Sequence, residues 1–600
     1  MKILGIADGM TGGTALWEDG RLVYAIHEER LMRAKMATGF PHRAITQILK
    51  DTGTSPEQID AVAVATVHEY FVPQAEGYDG WLRKDQGPLK ETMLSISGKI
   101  PRYFGARPFM KRSYYGLKSF LGRKRRRVIP KLLQAGWGLN CPVHFIDHHY
   151  AHACSAYFTG GRRRATIITM DGAGDHCCSH VYSAEDGRFT KLCTLDSFDS
   201  VGNYYAYVTH ICGFKAQKHE GKITGLAAYG EPIYADILRR FIDFRDGRIV
   251  NTGQVFYWSA VEAMVRALPE GFKHQDLAAS VQQVLEDVCG AYARHWVDRT
   301  GHGDVVLAGG VFANVKLNQR IHELDNVDSV FIHPGMGDEG LAVGAALALA
   351  AELNGSDTGR LQIGKLSDVY FGPSYSDRQI EEALRHQGVI FEHVPEIEKR
   401  IAQLLAQGRV VARFDGRMEY GPRALGSRSI LYQPTDPTVN DWLNKRLKRT
   451  EFMPFAPVTL ADHADGSYVN MDGARYPARF MTITFNCTDW MKKHCPAVVH
   501  VDGTARPQII DQQTNPSYYR IIDEYRKITG LPTIINTSFN IHEEPIVCTP
   551  ADAIRAFQIG HLDYLAMGPF LIPSEGNVSG ANHEQPERSG HAVSRSPSRP

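Results

Sequence analysis

The sequence predicts an α/β protein of at least two domains, and three observations carry that prediction. The first is length: 600 residues exceed the roughly 250–300 that one hydrophobic core supports. The second is an internal echo, in which a buried strand, an Asp-Gly pair, a glycine turn, a second strand and a further Asp-Gly turn occur twice. The third is a set of strands that run into glycine pairs and then into helices.

The first copy of the echo is Ile3 to Gly9, the turn Gly12-Gly13, the strand Thr14 to Trp17 and the hairpin turn Glu18-Asp19-Gly20-Arg21. The second is Thr166 to Gly172, a turn at Gly174, the strand Ser179 to Tyr182 and the turn Glu185-Asp186-Gly187-Arg188. Glycine-rich hairpin tips let backbone N–H groups approach phosphate, and the aspartate can hold a cation between phosphates. Two such hairpins are the arrangement of the actin-like ATPase fold, built from duplicated halves; two ordinary hairpins in one large domain are the alternative.

Between the copies, His148-His149-Tyr150-Ala151-His152 follows the apolar stretch Val143 to Ile146 and opens a run suited to a helix. That puts His148 and His152 at i and i+4 on one face, where two imidazoles can share a metal. Such a pair also occurs as a plain structural feature, and His149 could replace one ligand. Asp276 to Trp296 has helical periodicity. The strand Asp304 to Ala308 runs into Gly309-Gly310 and Asn314, and Ser329 to Ile332 runs into Gly337-Asp338-Glu339-Gly340. Asp338 is suitably placed as a third, carboxylate ligand, and two His with a carboxylate suit Fe or Zn. Leu341 to Ala351 reads as a tightly packed helix.

The polar stretch Asn354 to Arg360 is a candidate linker. Beyond it come helices over Ser376–Gln387 and Glu396–Gln407 and a strand over Val410–Phe414. The expected units are therefore 1–355, 356–573 and a disordered tail, 574–600, rich in Ser, Gly, Pro, Arg and His. In the second unit, Glu419 to Ser429, the cluster Lys445, Arg446, Lys448 and Arg449 beside Pro454-Phe455-Ala456-Pro457, and Asn536-Thr537-Ser538-Phe539-Asn540 each set cationic or amide groups on turns. That chemistry suits phosphate or carboxylate.

A net charge of +1 with 22% charged residues gives no global attraction to nucleic acid or an anionic membrane. Two basic runs, Arg123 to Arg127 and Arg162 to Arg164, are read as solvated faces without a role. The ten cysteines have no C-x-x-C spacing, no apolar run reaches the ~20 residues of a membrane span, and the N-terminus lacks secretory features. A cytoplasmic protein without a membrane partner is expected.

Taken together, these segments resemble the O-carbamoyltransferase family that includes the nodulation-factor and tobramycin carbamoyltransferases. The matching motifs are Glu28-Glu29-Arg30, Gly39-Phe40-Pro41-His42, His148-x-x-x-His152, Asp171-Gly172-x-Gly174-Asp175, Gly225 to Gly230, Gly309-Gly310-Val311-Phe312-x-Asn314, Gly337 to Gly340, Gly421 to Gly426, Pro454 to Pro457, Thr504-Ala505-Arg506 and Asn536 to Asn540. The resemblance implies an N-terminal domain like the threonylcarbamoyl-transferase type of actin-like fold and a C-terminal α/β domain that forms carbamoyl adenylate. It implies transfer of a carbamoyl group from carbamoyl phosphate, with ATP, to a hydroxyl of a small molecule in natural-product, antibiotic or sugar biosynthesis.

By the same resemblance His148, His152 and Asp338 are metal ligands (iron first, zinc or manganese as alternatives). Gly172, Gly174, Gly309, Gly310 and Asn314 form a nucleotide loop, with Mg accompanying ATP. Arg423, Lys448, Arg506, Asn536 and Ser538 form the carbamoyl phosphate and ATP site. The sequence departs from the family at Met10-Thr11-Gly12-Gly13, where relatives carry a His-Asp pair; His27 and His176 are the alternative bases. Met453 stands where relatives often have Arg. The rival readings are a sugar kinase or ATPase, a nucleotide-binding switch and transfer to tRNA; the near-neutral charge argues against the last. The acceptor's identity is not legible, and a homodimer is left open.

Overall fold

Ile3, Leu4 and Ile6 are fully buried, as a run that is apolar on both faces requires, and they make β1 (Lys2–Ala7) an interior strand. This computed structural model describes residues 1–82, 108–353, 364–449 and 452–574. β1 pairs antiparallel with β2 (Gly13–Glu18), and β2 with β3 (Arg21–His27). On its other side β1 runs parallel to β4 (Ala61–Ala65), and β4 to β5 (Val143–Ile146). The order is β3-β2-β1-β4-β5.

The second copy repeats that plan strand for strand. β6 (Arg164–Gly174) pairs antiparallel with β7 (Cys177–Glu185) and β7 with β8 (Arg188–Asp196). β6 also runs parallel to β11 (Asp304–Ala308), and β11 to β12 (Ser329–Ile332), giving β8-β7-β6-β11-β12. The short ribbon β9 (Asp243–Arg245) and β10 (Arg248–Val250) lies between β8 and β11 in sequence. Two sheets of the same order and polarity are the duplicated actin-like architecture that the echo predicts. The helices His148–Gly160 and Leu341–Leu353, almost wholly buried and rich in alanine, pack on one another, the latter also against β1.

The C-terminal region holds an eight-stranded mixed sheet of order β13-β22-β21-β14-β15-β20-β16-β19. Its strands are β13 (Glu392–His393), β14 (Val411–Phe414), β15 (Arg428–Tyr432), β16 (Ala456–Leu460), β19 (Gln508–Ile510), β20 (Thr533–Ser538), β21 (Tyr564–Met567) and β22 (Phe570–Pro573). A small ribbon pairs β17 (Phe485–Asn486) with β18 (Thr504–Ala505). The two predicted helices span Asp377–His386 and Ile397–Ala406, the first started by a Ser376/Gln379 capping box.

The two regions are bonded together. Arg30 donates to the Gly421 carbonyl (2.8 Å) and Arg33 to those of Ile546 (2.7 Å) and Pro545 (2.8 Å), while Lys218 pairs with Glu543 at 2.6 Å. Tyr420 sits behind the Asp338 turn, its hydroxyl 3.1 Å from His333 Nε2 and 3.3 Å from the Glu339 carbonyl.

Two expectations need correction. The run Arg123–Arg127 is not a uniformly solvated face, because Arg125, on the helix Pro108–Trp137, is 0% exposed. Its Nε donates to Asp8 Oδ2 (2.9 Å), Nη2 bonds Asp8 Oδ1 and the Ala65 carbonyl (2.8 Å), and Nη1 donates to the Thr66 carbonyl (2.6 Å). A buried charge held by a carboxylate and two carbonyls is a structural element. Ser574, the first residue of the expected tail, is buried, and its N–H bonds the Asp563 carbonyl at 2.9 Å. The rest of that tail and the candidate linker lie outside the described residues.

Candidate metal centre and anion site

The candidate metal centre is built where the second sheet meets the buried helix. Asp147 ends the link from β5 and caps the helix by accepting from the Tyr150 N–H at 2.8 Å. His148 and His152 then project from one face, with ring centroids 4.7 Å apart. Asp171 comes from β6 and Asp338 from the turn after β12. His152 Nε2 lies 3.2 Å from Asp171 Oδ2 and 3.8 Å from Asp338 Oδ1; His148 Nε2 lies 3.6 and 3.7 Å from the same atoms.

One ligand atom from each of the four lies within 4.8 Å of every other. Neighbouring ligands around one ion with bonds of about 2.0–2.2 Å stand at comparable separations. His148 Nε2 is buried and makes no hydrogen bond, as a nitrogen kept for a metal would be. The donor set, two imidazoles and two carboxylates, fits a divalent transition ion.

Two glycines make the approach possible. A Cβ on Gly174 would lie 2.1 Å from the His148 ring. Gly309 has φ +107°, and a Cβ there would lie 2.0 Å from the Met170 carbonyl oxygen, next to Asp171.

The electrostatics are those of a site short of positive charge. Burial pushes the Asp171 carboxyl up, but the two imidazoles of His148 and His152 beside it outweigh that and hold it well below the usual range. Asp338 is pushed well above it by burial and by Asp171. Burial lowers His148, yet Asp171 and Asp338 win and push it up to about 9. Each carboxylate here needs a proton or a cation.

The remaining predicted residues fall into distinct places. Gly172 donates its N–H to Asp171 Oδ1 (2.7 Å), and Gly310 lies beside that carboxylate. Asn314 caps the helix Val315–His322 by accepting from Leu317 N–H (3.0 Å), and its amide bonds Gln282 and Thr224. His27 Nε2 lies 3.2 Å from the Glu339 carbonyl, and burial with Arg30 pushes it down to about 4. His176 stacks on His68 at 4.8 Å with its Nε2 3.2 Å from Ser119 Oγ.

In the C-terminal sheet, Asn536 Nδ2 donates to the Ala424 carbonyl (3.1 Å) and to Gln508 Oε1 (2.8 Å), and Gln508 donates to the Leu425 carbonyl (3.0 Å). That network brings the backbone bearing Arg423 and, two residues before Gln508, Arg506 to one end of β20. Ser538 Oγ donates to Asn540 Oδ1 (2.6 Å), and Arg449 binds the Ser538 (2.6 Å) and Asn540 (2.9 Å) carbonyls. Lys448 is exposed at φ +56°. Sequence reasoning missed three residues. Asp171 as a ligand was flagged only by its hairpin motif, Arg449 only by its basic cluster, and Gln508 by nothing.

Comparison with known proteins covers both regions. The family model for the carbamoyltransferase N-terminus matches residues 2–347, and that for the carbamoyltransferase C-terminus matches residues 402–574. The chain is 31% identical over 574 residues to nodulation protein NolNO of Sinorhizobium fredii, covering 94% of this chain and 78% of that protein. It is 30% identical over 599 residues to the uncharacterized protein sll1178 of Synechocystis (93% and 94% covered). Nodulation protein U of Rhizobium tropici is 26% identical over 610 residues, with 96% of each chain covered.

Proposed function

This chain belongs to the carbamoyltransferase family and is a carbamoyltransferase, and from that premise we propose that it is an ATP-dependent O-carbamoyltransferase working through carbamoyl adenylate. The donor is carbamoyl phosphate and the acceptor is a hydroxyl of a small molecule. The observation that carries this reading is the separation of two chemistries in one chain. A four-ligand cluster of His148, His152, Asp171 and Asp338 sits in one region, and in the other Asn536 of β20 ties together the backbone next to Arg423 and, through Gln508, the segment that carries Arg506. The division of the chain at residue 355 is part of the same proposal.

The chemistry explains why two sites are useful. Carbamoyl phosphate and water give carbamate and phosphate; a carbamate oxygen attacks the α-phosphorus of ATP, and pyrophosphate leaves. Arg423, Lys448 and Arg506 offset the charge that gathers on the phosphoryl groups, and Asn536 and Ser538 orient them. The mixed anhydride is then attacked at its carbamoyl carbon by the acceptor oxygen; AMP leaves and the hydroxyl proton is lost. A divalent ion held by His148, His152, Asp171 and Asp338 would polarise an oxygen of the intermediate as a Lewis acid. Gly172 and Gly310 offer the nucleotide a small-residue edge beside it, while Gly174 and Gly309 let the loop close against His148 and Met170. The close junction of the two regions keeps water from a hydrolysable intermediate.

The test is pyrophosphate release from ATP and carbamoyl phosphate with a divalent metal and no acceptor. Release that requires carbamoyl phosphate and falls at least ~100-fold in Arg506→Ala is expected, from the loss of a transition-state cation. Nucleotide binding without release would overturn the adenylate route.

A further inference from the structure

Thr66 is a β-branched residue at φ +71°, a backbone region that such residues avoid. It follows β4 and is 8% exposed. Glycine would adopt this backbone without strain, so a threonine there points to a use for its side chain. The side chain has one: Oγ1 lies 3.3 Å from His148 Nδ1, the ring nitrogen that faces away from Asp171 and Asp338. His152 differs, since its Nδ1 is buried and makes no hydrogen bond.

The loop is held from both sides in its unusual shape. Arg125 grips the Ala65 and Thr66 carbonyls, at 2.8 and 2.6 Å. Asp175, at the tip of the β6–β7 hairpin, accepts from the N–H groups of Val67 (2.9 Å), His68 (2.6 Å) and His148 (2.8 Å). The same carboxylate therefore fixes the loop and the first residue of the ligand-bearing helix in one frame.

We propose that Thr66 is a positioning residue for the metal centre: its hydroxyl accepts from His148 Nδ1–H, which fixes the ring and leaves the Nε2 lone pair for the ion. Arg125 and Asp175 hold the hydroxyl where this bond is made. A partner on the second nitrogen sets both the tautomer and the orientation of a ligating imidazole. The proposal rests on the metal reading of the His148 cluster.

The test is Co²⁺ affinity of the full-length protein, by competition with a chelator, together with the visible spectrum of bound Co²⁺. Thr66→Gly removes the hydroxyl and relieves the backbone, Thr66→Val removes the hydroxyl alone, and Thr66→Ser restores it. Affinity lowered about 10–100-fold in the Gly and Val variants, with a changed spectrum and near-wild-type binding in Thr66→Ser, is the expected result. The melting temperature of metal-free Thr66→Gly, equal to or above wild type, shows that the loss is not one of folding. Wild-type affinity and spectrum in Thr66→Gly would overturn the proposal, as would an equal loss in Thr66→Ser, which would trace to the backbone. Wild-type protein that binds no Co²⁺ would sink the metal reading and this proposal together; normal wild-type binding with an unaffected Gly variant removes only the role of Thr66.

Discussion

Asp8 and Asp171 stand at the same point of two sheets built to one plan, just past or at the end of the central strand and followed by glycine, yet their partners differ. Asp8 is buried against Arg125, whose guanidinium also binds two carbonyls of the first half. Asp171 faces two imidazoles and a second carboxylate. One half carries its countercharge within the chain; the other, on the proposed reading, receives it from a bound cation. A duplicated fold thus supplies two equivalent positions for an acid, and the residues around each decide whether that acid is structural or available for chemistry.

The largest expected effect that can break this comparison comes from the structural half. Arg125→Met strands the Asp8 carboxylate in a dry site and should cost about 3–5 kcal/mol of stability. Pairing it with Asp8→Asn should recover much of that loss, and denaturant unfolding of the two variants checks both statements. Unchanged stability in Arg125→Met would mean that the buried pair does not hold the first half together.

Next in size is the matched exchange of the two acids. Asp171→Asn should weaken binding of a divalent metal by about 100-fold or more, about 2.7 kcal/mol, beyond what an outer partner contributes. Asp8→Asn should leave metal affinity within about threefold. Equal losses in both, measured by metal content after dialysis, would erase the proposed division of labour.

The effect smallest per step of the titration concerns acid. Burial, with Lys191, pushes His180 on β7 down to about 3, so the folded protein favours its neutral form. In the unfolded chain the same imidazole takes a proton near 6.5. Its contribution is thus intact above pH 6.5 and is lost as pH falls from there toward 3, by about 1.4 kcal/mol per unit. His180→Gln should flatten the acid limb of the stability profile by that slope, read from urea unfolding at several pH values. Amide exchange should rise on acidification in β6–β8 before β1 and β2, which carry no buried histidine.

The sequence made the architecture legible because its signal is local. Strand, Asp-Gly and turn recur within short windows, and β12 ends where its apolar run does. His148 and His152 are legible for the same reason, being one helical turn apart. Asp338 is legible through the resemblance and its glycine-rich turn. The roles of Arg125 and Thr66 are not, because they are tertiary. One arginine in a run of five basic residues differs from the rest only in the direction its helix face points. Thr66 differs from most other threonines only in a backbone angle, shared by Thr11, that Arg125 and Asp175 hold in place here. Arg449, rather than the exposed Lys448, binds the end of β20 because the chain turns over at φ +56° between them.

Tyr420 has a consequence for anyone who would rebuild this enzyme from parts. Its hydroxyl belongs to the C-terminal region but lies against His333 and the Glu339 carbonyl, the residue after a proposed metal ligand. A chimera that joined this N-terminal region to a foreign partner would inherit the Asp338 turn without its support. Recombination between relatives should therefore succeed only when the crossover carries the tyrosine and the turn together, so that the two regions behave as one inherited unit rather than as interchangeable modules.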